Sequence, residues 1–182
     1  PSTGVEFTRE MLNFADSFLK SLKGVDGFIL KNKSPSCGVK AVKLYPLGGK
    51  SRPKTDGVGL FAAKVFNYFP LLPVEDEGRL RNLHLRENFL TRIYTLADFR
   101  ENVENRDFTE IIDFHRKNKL LFMSYSQVYL RKLGRLVANP HKAPIEELMK
   151  EYKHIMNEMF LIDPLPPANV NVLMHAFGYF SK

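Results

Sequence analysis

Gly27-Phe28-Ile29-Leu30-Lys31 runs through Asn32 and Lys33 straight into Ser34-Pro35-Ser36-Cys37-Gly38. An unbroken apolar triplet behind a glycine reads as a short strand, residues 27–31, covered on both faces as in a parallel sheet. Pro35 fixes one φ of the turn that follows, and Gly38 permits close backbone approach. Working backward, Thr8 is the expected N-cap of an amphipathic helix with Met11, Phe14, Ala15, Phe18, Leu19 and Leu22 inward, closed by Gly24. Working forward, residues 39–45 read as a less regular strand and residues 46–57, rich in Gly and Pro, as a loop. Residues 59–68 then form a helix with Leu60, Ala63 and Phe66 or Phe69 inward. Residues 69–74 form a third strand, whose prolines place it at an edge or an end. This alternation predicts an α/β fold, a partial Rossmann-like sheet with flanking helices.

Past Leu83 the strand-like runs stop and helical periodicity takes over. Residues 85–94 predict one helix, 108–137 a long or broken one, 144–161 another with Pro144 at N1 and Glu146 and Glu147 in its first turn, and 168–179 a last. The charged stretch 100–106, with Asn102 and Asn105, is the expected connection. The predicted organisation is an α/β domain over 1–99, a linker over 100–106 and an all-α domain over 107–182. A chain of 182 residues suits one generous domain or two small ones.

Composition narrows the class. Apolar residues are 44% of the chain, charged residues 26%, and the mean hydropathy is -0.24, which excludes wholesale disorder. The longest apolar runs, such as residues 69–74, are far short of the ~20 residues of a membrane span, so no membrane partner is expected. The single cysteine excludes an internal disulfide framework and suits a reducing compartment, so a cytoplasmic location is expected. The chain opens on Pro1 with no signal-like segment and stops at Lys182 after an apolar stretch, which reads as a fragment.

The net charge of +7 is uneven. Residues 1–100 carry 16 Lys/Arg against 10 Asp/Glu, residues 101–182 only 11 against 10. One acid-free window holds Lys31, Lys33, Lys40, Lys43, Lys50, Arg52 and Lys54; the other holds Arg116, Lys117, Lys119, Arg131, Lys132, Arg135 and Lys142. Such windows can bind phosphates, although a solvated face is the commoner outcome.

Several clusters are candidates for chemistry. Ser34, Ser36 and Cys37 follow the first strand, where loops at carboxyl ends of strands line a ligand crevice. Lys31, Lys33 and Lys40 could favour the thiolate form of Cys37. Asp56-Gly57-Val58-Gly59 at a helix start resembles half a phosphate cradle, or a tight turn. Glu75-Asp76-Glu77 could do acid/base work if mutual repulsion raises one pKa. His115 and Lys119 share a helix face above an apolar stripe of Phe122, Tyr125, Tyr129, Leu133 and Leu136. With Arg116, Lys117, Arg131 and Arg135, they are the expected contacts if this part binds a nucleotide or nucleic acid. His141, His154 and His175 have no metal-ligand spacing and receive no role.

Residues 25–31, Ser34-Pro35-Ser36-Cys37-Gly38, Val42-Lys43, Gly57-Val58-Gly59-Leu60-Phe61-Ala62, the run from Leu72 to Leu80 and Arg86-Glu87-Asn88-Phe89 together resemble the later half of the thiouracil desulfidase family (domain of unknown function 523). From about Asp107, Phe114-His115-Arg116-Lys117-Asn118-Lys119, the run from Ala168 to His175 and Phe177-Gly178-Tyr179-Phe180 resemble the YbgA-like domain (domain of unknown function 1722). The resemblance implies sulfur removal from thiolated pyrimidines such as 2-thiouracil, on the open iron of a [4Fe–4S] cluster held by three cysteines. Cys37 matches the third of those ligands, and Ser34 a serine that relays a proton or positions substrate. Ser36, Gly38, Glu75 and Glu77 are implied substrate neighbours. The two other ligand cysteines and a catalytic acid belong to a part of the family's pattern that these residues do not contain. The expectation is therefore an active longer parent carrying the cluster, with no cofactor and no activity in this chain alone.

Overall fold

A computed structural model describes residues 6–45, 52, 54–104, 106–139, 143–164 and 166–180. Residues 46–51 and 53 of the expected loop, Lys50 among them, Asn105 of the expected connection, and His141 and Lys142 lie outside the described residues. The chain divides into two units, residues 1–94 and 95–182.

The first unit is built on two parallel strands. Strand β1 (Phe28–Leu30) pairs with β4 (Val74–Asp76), Phe28 opposite Val74 and Leu30 opposite Asp76. The expected third strand over 69–74 is displaced toward the C-terminus for a physical reason. Pro70 and Pro73 have no N–H to give a ladder, so Pro73 contributes only its carbonyl, which accepts from the Phe28 N–H at 2.9 Å. Gly27 lets the chains approach here: a Cβ would lie 2.6 Å from that carbonyl oxygen and 2.5 Å from the Ile93 side chain.

A second, antiparallel pair corrects another expectation. Strand β2 (Val42–Leu44) falls within the run read as a strand, but its partner β3 (Lys54–Gly57) comes from residues read as loop. Val42 faces Gly57 and Leu44 faces Lys54, with an irregularity between them.

Helix α1 (Thr8–Ser21) buries Ala15 and Leu19. Phe14 and Phe18, expected inward, are exposed and stack on each other at 5.7 Å. Phe7, not Thr8, takes the N-cap position, with no side-chain cap bond. Helix α2 (Leu60–Tyr68) buries Ala62 and Val65, while Ala63 and Phe66 are exposed. The period is as expected and the phase is turned by one residue.

Helix α3 (Leu83–Asn102) is twice the length predicted and contains the division between the units. Leu96, Phe99 and Val103 are all buried, so their spacing carries the apolar stripe into the stretch read as a linker. The second unit continues with α4 (Phe108–Tyr125), α5 (Gln127–Ala138), α6 (Ile145–Met159) and α7 (Pro166–Phe180). The stretch 108–137, expected as a long or broken helix, is broken at Ser126, which is extended (φ -164°, ψ 120°). Its side-chain oxygen accepts the Tyr129 N–H, so one residue ends α4 and caps α5. Pro144 sits at the N-cap of α6 instead of N1. The core is aromatic: Phe99 stacks on Tyr152 at 5.7 Å, Phe114 meets both edge-on, and Tyr125 packs edge-on to Phe160 at 4.9 Å. The predicted architecture, α/β followed by all-α, is the observed one.

Candidate active site

Because β1 and β4 are parallel, their carboxyl ends lie at one edge, and the chain leaving each builds that edge. From β1 come Lys31, Asn32 and the turn 34–38; from β4 come Glu77, Gly78 and a 3₁₀ turn at Arg79–Arg81.

The turn is fastened to the start of α2 through backbone alone. The Gly59 N–H donates to the Gly38 carbonyl at 2.8 Å and the Phe61 N–H to the Ser36 carbonyl at 2.8 Å. The Leu60 N–H reaches the Pro35 carbonyl and the Ala62 N–H the Ser36 carbonyl, each at 3.3 Å. Helix α2 has no side-chain N-cap, so these carbonyls satisfy donors that would otherwise be orphaned. This disposes of the half phosphate cradle: N–H groups of residues 59–62 already have acceptors, and Gly57 belongs to β3. Gly59 is required for close approach, since a Cβ there would collide with the Ser36 carbonyl and lie 2.7 Å from the Cys37 nitrogen.

Within the turn the polar side chains converge. Ser34 Oγ accepts the N–H groups of Ser36 (3.3 Å) and Cys37 (3.2 Å) and lies 3.1 Å from Ser36 Oγ, which is 3.4 Å from Cys37 Sγ. With its lone pairs taken by two N–H groups, Ser34 is left to donate its O–H to Ser36. Ser36 can then donate to the sulfur. Cys37 is free and half-buried. Gly38 is buried, its N–H bonded to the Ser34 carbonyl at 2.9 Å.

The acidic run does not behave as a repelling cluster, because each carboxylate has its own partner. Glu75 holds the Arg79 guanidinium through two bonds (2.5 and 2.9 Å), and that bond with Glu75 raises the Arg79 pKa. Asp76, 1% exposed, accepts the Arg79 N–H at 2.8 Å and opens the 3₁₀ turn. Glu77 accepts from Lys31 Nζ at 2.6 Å and the Asn32 N–H at 2.8 Å. Those two bonds, Lys31 first, hold the Glu77 carboxyl below its ordinary value, opposite to the rise expected. Lys31 is therefore bonded to Glu77, not committed to the thiol. The i,i+4 spacing of Glu75 and Arg79 is the sequence signal for this pairing.

The basic candidates of the helical unit separate in space. His115 turns inward, its Nδ1 2.9 Å from the buried Tyr152 hydroxyl. Burial, with Lys119 adding repulsion, holds its pKa below 6.5, while burial pushes the Tyr152 hydroxyl up. Arg116 pairs with Asp113 and Lys117 with Asp98, each at 2.9 Å. Burial works against Asp98, yet hydrogen bonds from Lys117 and Asn102 leave its pKa lowered. These two cations line a cavity of about 350 Å³ together with Asp98, Glu110 and Asp113, so its lining carries both signs. Lys119, Arg131 and Arg135 are exposed.

A cluster cofactor needs several soft ligands around one point. Cys37 is the single cysteine, and among the described residues no three His, Cys, Asp or Glu come together as a metal-binding group. The residues present do not by themselves fit a [4Fe–4S] cluster.

Parallel strands with a serine–cysteine turn at their carboxyl edge give the first unit an α/β arrangement, and in open α/β sheets that edge is where ligands bind. Residues 1–77 match the 2-thiouracil desulfurase family and residues 119–182 match the family described as protein of unknown function (DUF1722), so the chain carries the two segments fused in that order. YbgA of Escherichia coli (strain K12), itself described as uncharacterized, is 30% identical over 97 residues, covering 52% of this chain and 57% of YbgA. No solved structure matches the chain. Among the described residues, no helix is long and apolar enough to cross a membrane.

Proposed function

We propose that the α/β segment forms part of a desulfidase site for thiolated pyrimidines such as 2-thiouracil. The observation that carries this reading is the desulfurase match over residues 1–77, which contains the Ser34–Cys37 relay and the carboxylates beside it. Cys37 would supply one thiolate toward a [4Fe–4S] cluster whose remaining ligands would come from outside these residues, and this chain alone would be inactive. Ser34 ends a hydrogen-bond chain to the sulfur, and its part in this reading is to pass its hydroxyl proton toward Ser36. Ser36 links the two, and Gly38 and Gly59 fix the turn's backbone. Glu75 is committed to Arg79, and its place near substrate is as the anchor of that guanidinium.

The test is sulfide release from 2-thiouracil by a longer protein carrying both segments. Ser34→Ala is expected to lower release by roughly a hundredfold, within the range for loss of one proton-transfer group. Full activity in that variant would remove Ser34 from the reaction. An anionic partner of α4 and α5 would rest chiefly on Lys119, Arg131 and Arg135, because Arg116 and Lys117 already face carboxylates. Binding of that kind must weaken steeply as salt rises.

A further inference from the structure

We propose that Glu77 is a positioning residue, a latch that fixes the approach to the Ser34–Cys37 turn from the neighbouring strand. The proposal rests on the reading above only in taking that turn as the functional loop. Glu77 follows β4 directly, and its two oxygens divide between two groups that follow β1: Oε1 takes Lys31 Nζ and Oε2 takes the Asn32 N–H. The carboxylate thus bridges the carboxyl ends of the only parallel strand pair among the described residues. Two residues after Asn32 the turn begins, with the Ser34 N–H bonded back to the Lys31 carbonyl. The stretch between is conformationally demanding, since Lys33 is left-handed at φ 55°, a conformation unfavourable for a non-glycine residue. Holding it takes contacts on the flanking residues, and Glu77 makes two of them.

Gly78 serves the same contact. A Cβ there would collide with the Asn32 side-chain amide and come within 3.2 Å of an Asp76 carboxylate oxygen. Glycine lets Asn32 lie against the 77–78 backbone while Glu77 grips its N–H. The role differs from acid/base work: the ammonium and the amide N–H stabilise the ionised carboxylate, which makes it a weak acceptor for a substrate proton.

Cys37 is the single cysteine, so its alkylation by iodoacetamide reports on the turn without requiring activity. In the full chain, Glu77→Ala is expected to speed alkylation two- to fivefold, the scale of a part-exposed charge-assisted contact. Glu77→Gln keeps an acceptor for the Asn32 N–H and is expected to restore most of the protection. Alkylation of the Ala variant at the wild-type rate overturns the latch. So does acceleration that merely tracks a fall in the urea midpoint, which would make Glu77 a general stability residue. Sulfide release in the longer protein separates the two ideas: altered alkylation without desulfidase activity in the wild type leaves the latch and removes the desulfidase reading.

Discussion

Gly59 has an ordinary backbone conformation (φ -67°, ψ 149°), yet it has no room for a methyl group. Gly59→Ala is expected to cost about 1–3 kcal/mol, the range for overpacking, as a lowered urea midpoint, and to speed Cys37 alkylation by unseating the turn. His115 is the other residue whose environment decides its behaviour. Its folded pKa lies below 6.5, so the unfolded chain binds the proton more tightly than the native one. The contribution of His115 to stability is thus complete above pH 6.5 and is lost as the pH falls from there through the folded value. His115→Phe should flatten that slope, measured by urea titrations between pH 5 and 8. It should also cost about 1–3 kcal/mol by leaving the buried Tyr152 hydroxyl without its partner. At this scale the sequence announced the turn, because Ser34, Pro35, Ser36, Cys37 and Gly38 are contiguous. It did not announce Gly59 or Glu77, whose partners lie far away in the chain. It also could not tell that His115 points inward, since His115 and Lys119 share a helix face on which only the imidazole is half-buried.

Elements were legible where spacing alone determines them. Every helix expected is present, but phase and length depend on what the helix meets. Helix α2 is apolar nearly all round, so periodicity could not choose between Ala62–Val65 and Ala63–Phe66; the helix packs against α1, with Phe61 6.0 Å from Phe18 and Lys64 paired with Asp16, and the first pair is the buried one. Strand β3 was invisible because Lys54-Thr55-Asp56-Gly57 carries no apolar alternation and its first three residues are exposed. Its pairing with β2 is a backbone matter. The break at Ser126 is one extended residue between two helices, and its cap can be tested. Ser126→Ala is expected to destabilise the helical unit by about 1 kcal/mol, seen in thermal or urea unfolding followed by far-UV circular dichroism. An unchanged midpoint would mean that the weak 3.4 Å bond to the Tyr129 N–H contributes nothing.

Across the whole molecule, charge and chemistry fall in different places. The basic excess of the first hundred residues includes Lys31, paired with Glu77, and Lys64, paired with Asp16 at 2.9 Å. In the helical unit Arg116 and Lys117 are matched by acids. The count of 27 Lys and Arg therefore overstates what is free to meet a phosphate. The change of texture near residue 83 was readable because strand-like runs end there, whereas the division between units falls inside α3, where a continuous helix leaves no compositional mark. The proposed role of Cys37 is a ligand position in a desulfidase site whose other ligands come from residues beyond these 182. Its most direct test is iron and acid-labile sulfide, measured after anaerobic reconstitution of a longer protein carrying both segments, wild type against Cys37→Ser. About four irons per chain are expected in the wild type, and in the variant a marked loss of iron with no sulfide release from 2-thiouracil. A Cys37→Ser protein that keeps its full iron content and releases sulfide at the wild-type rate would contradict it.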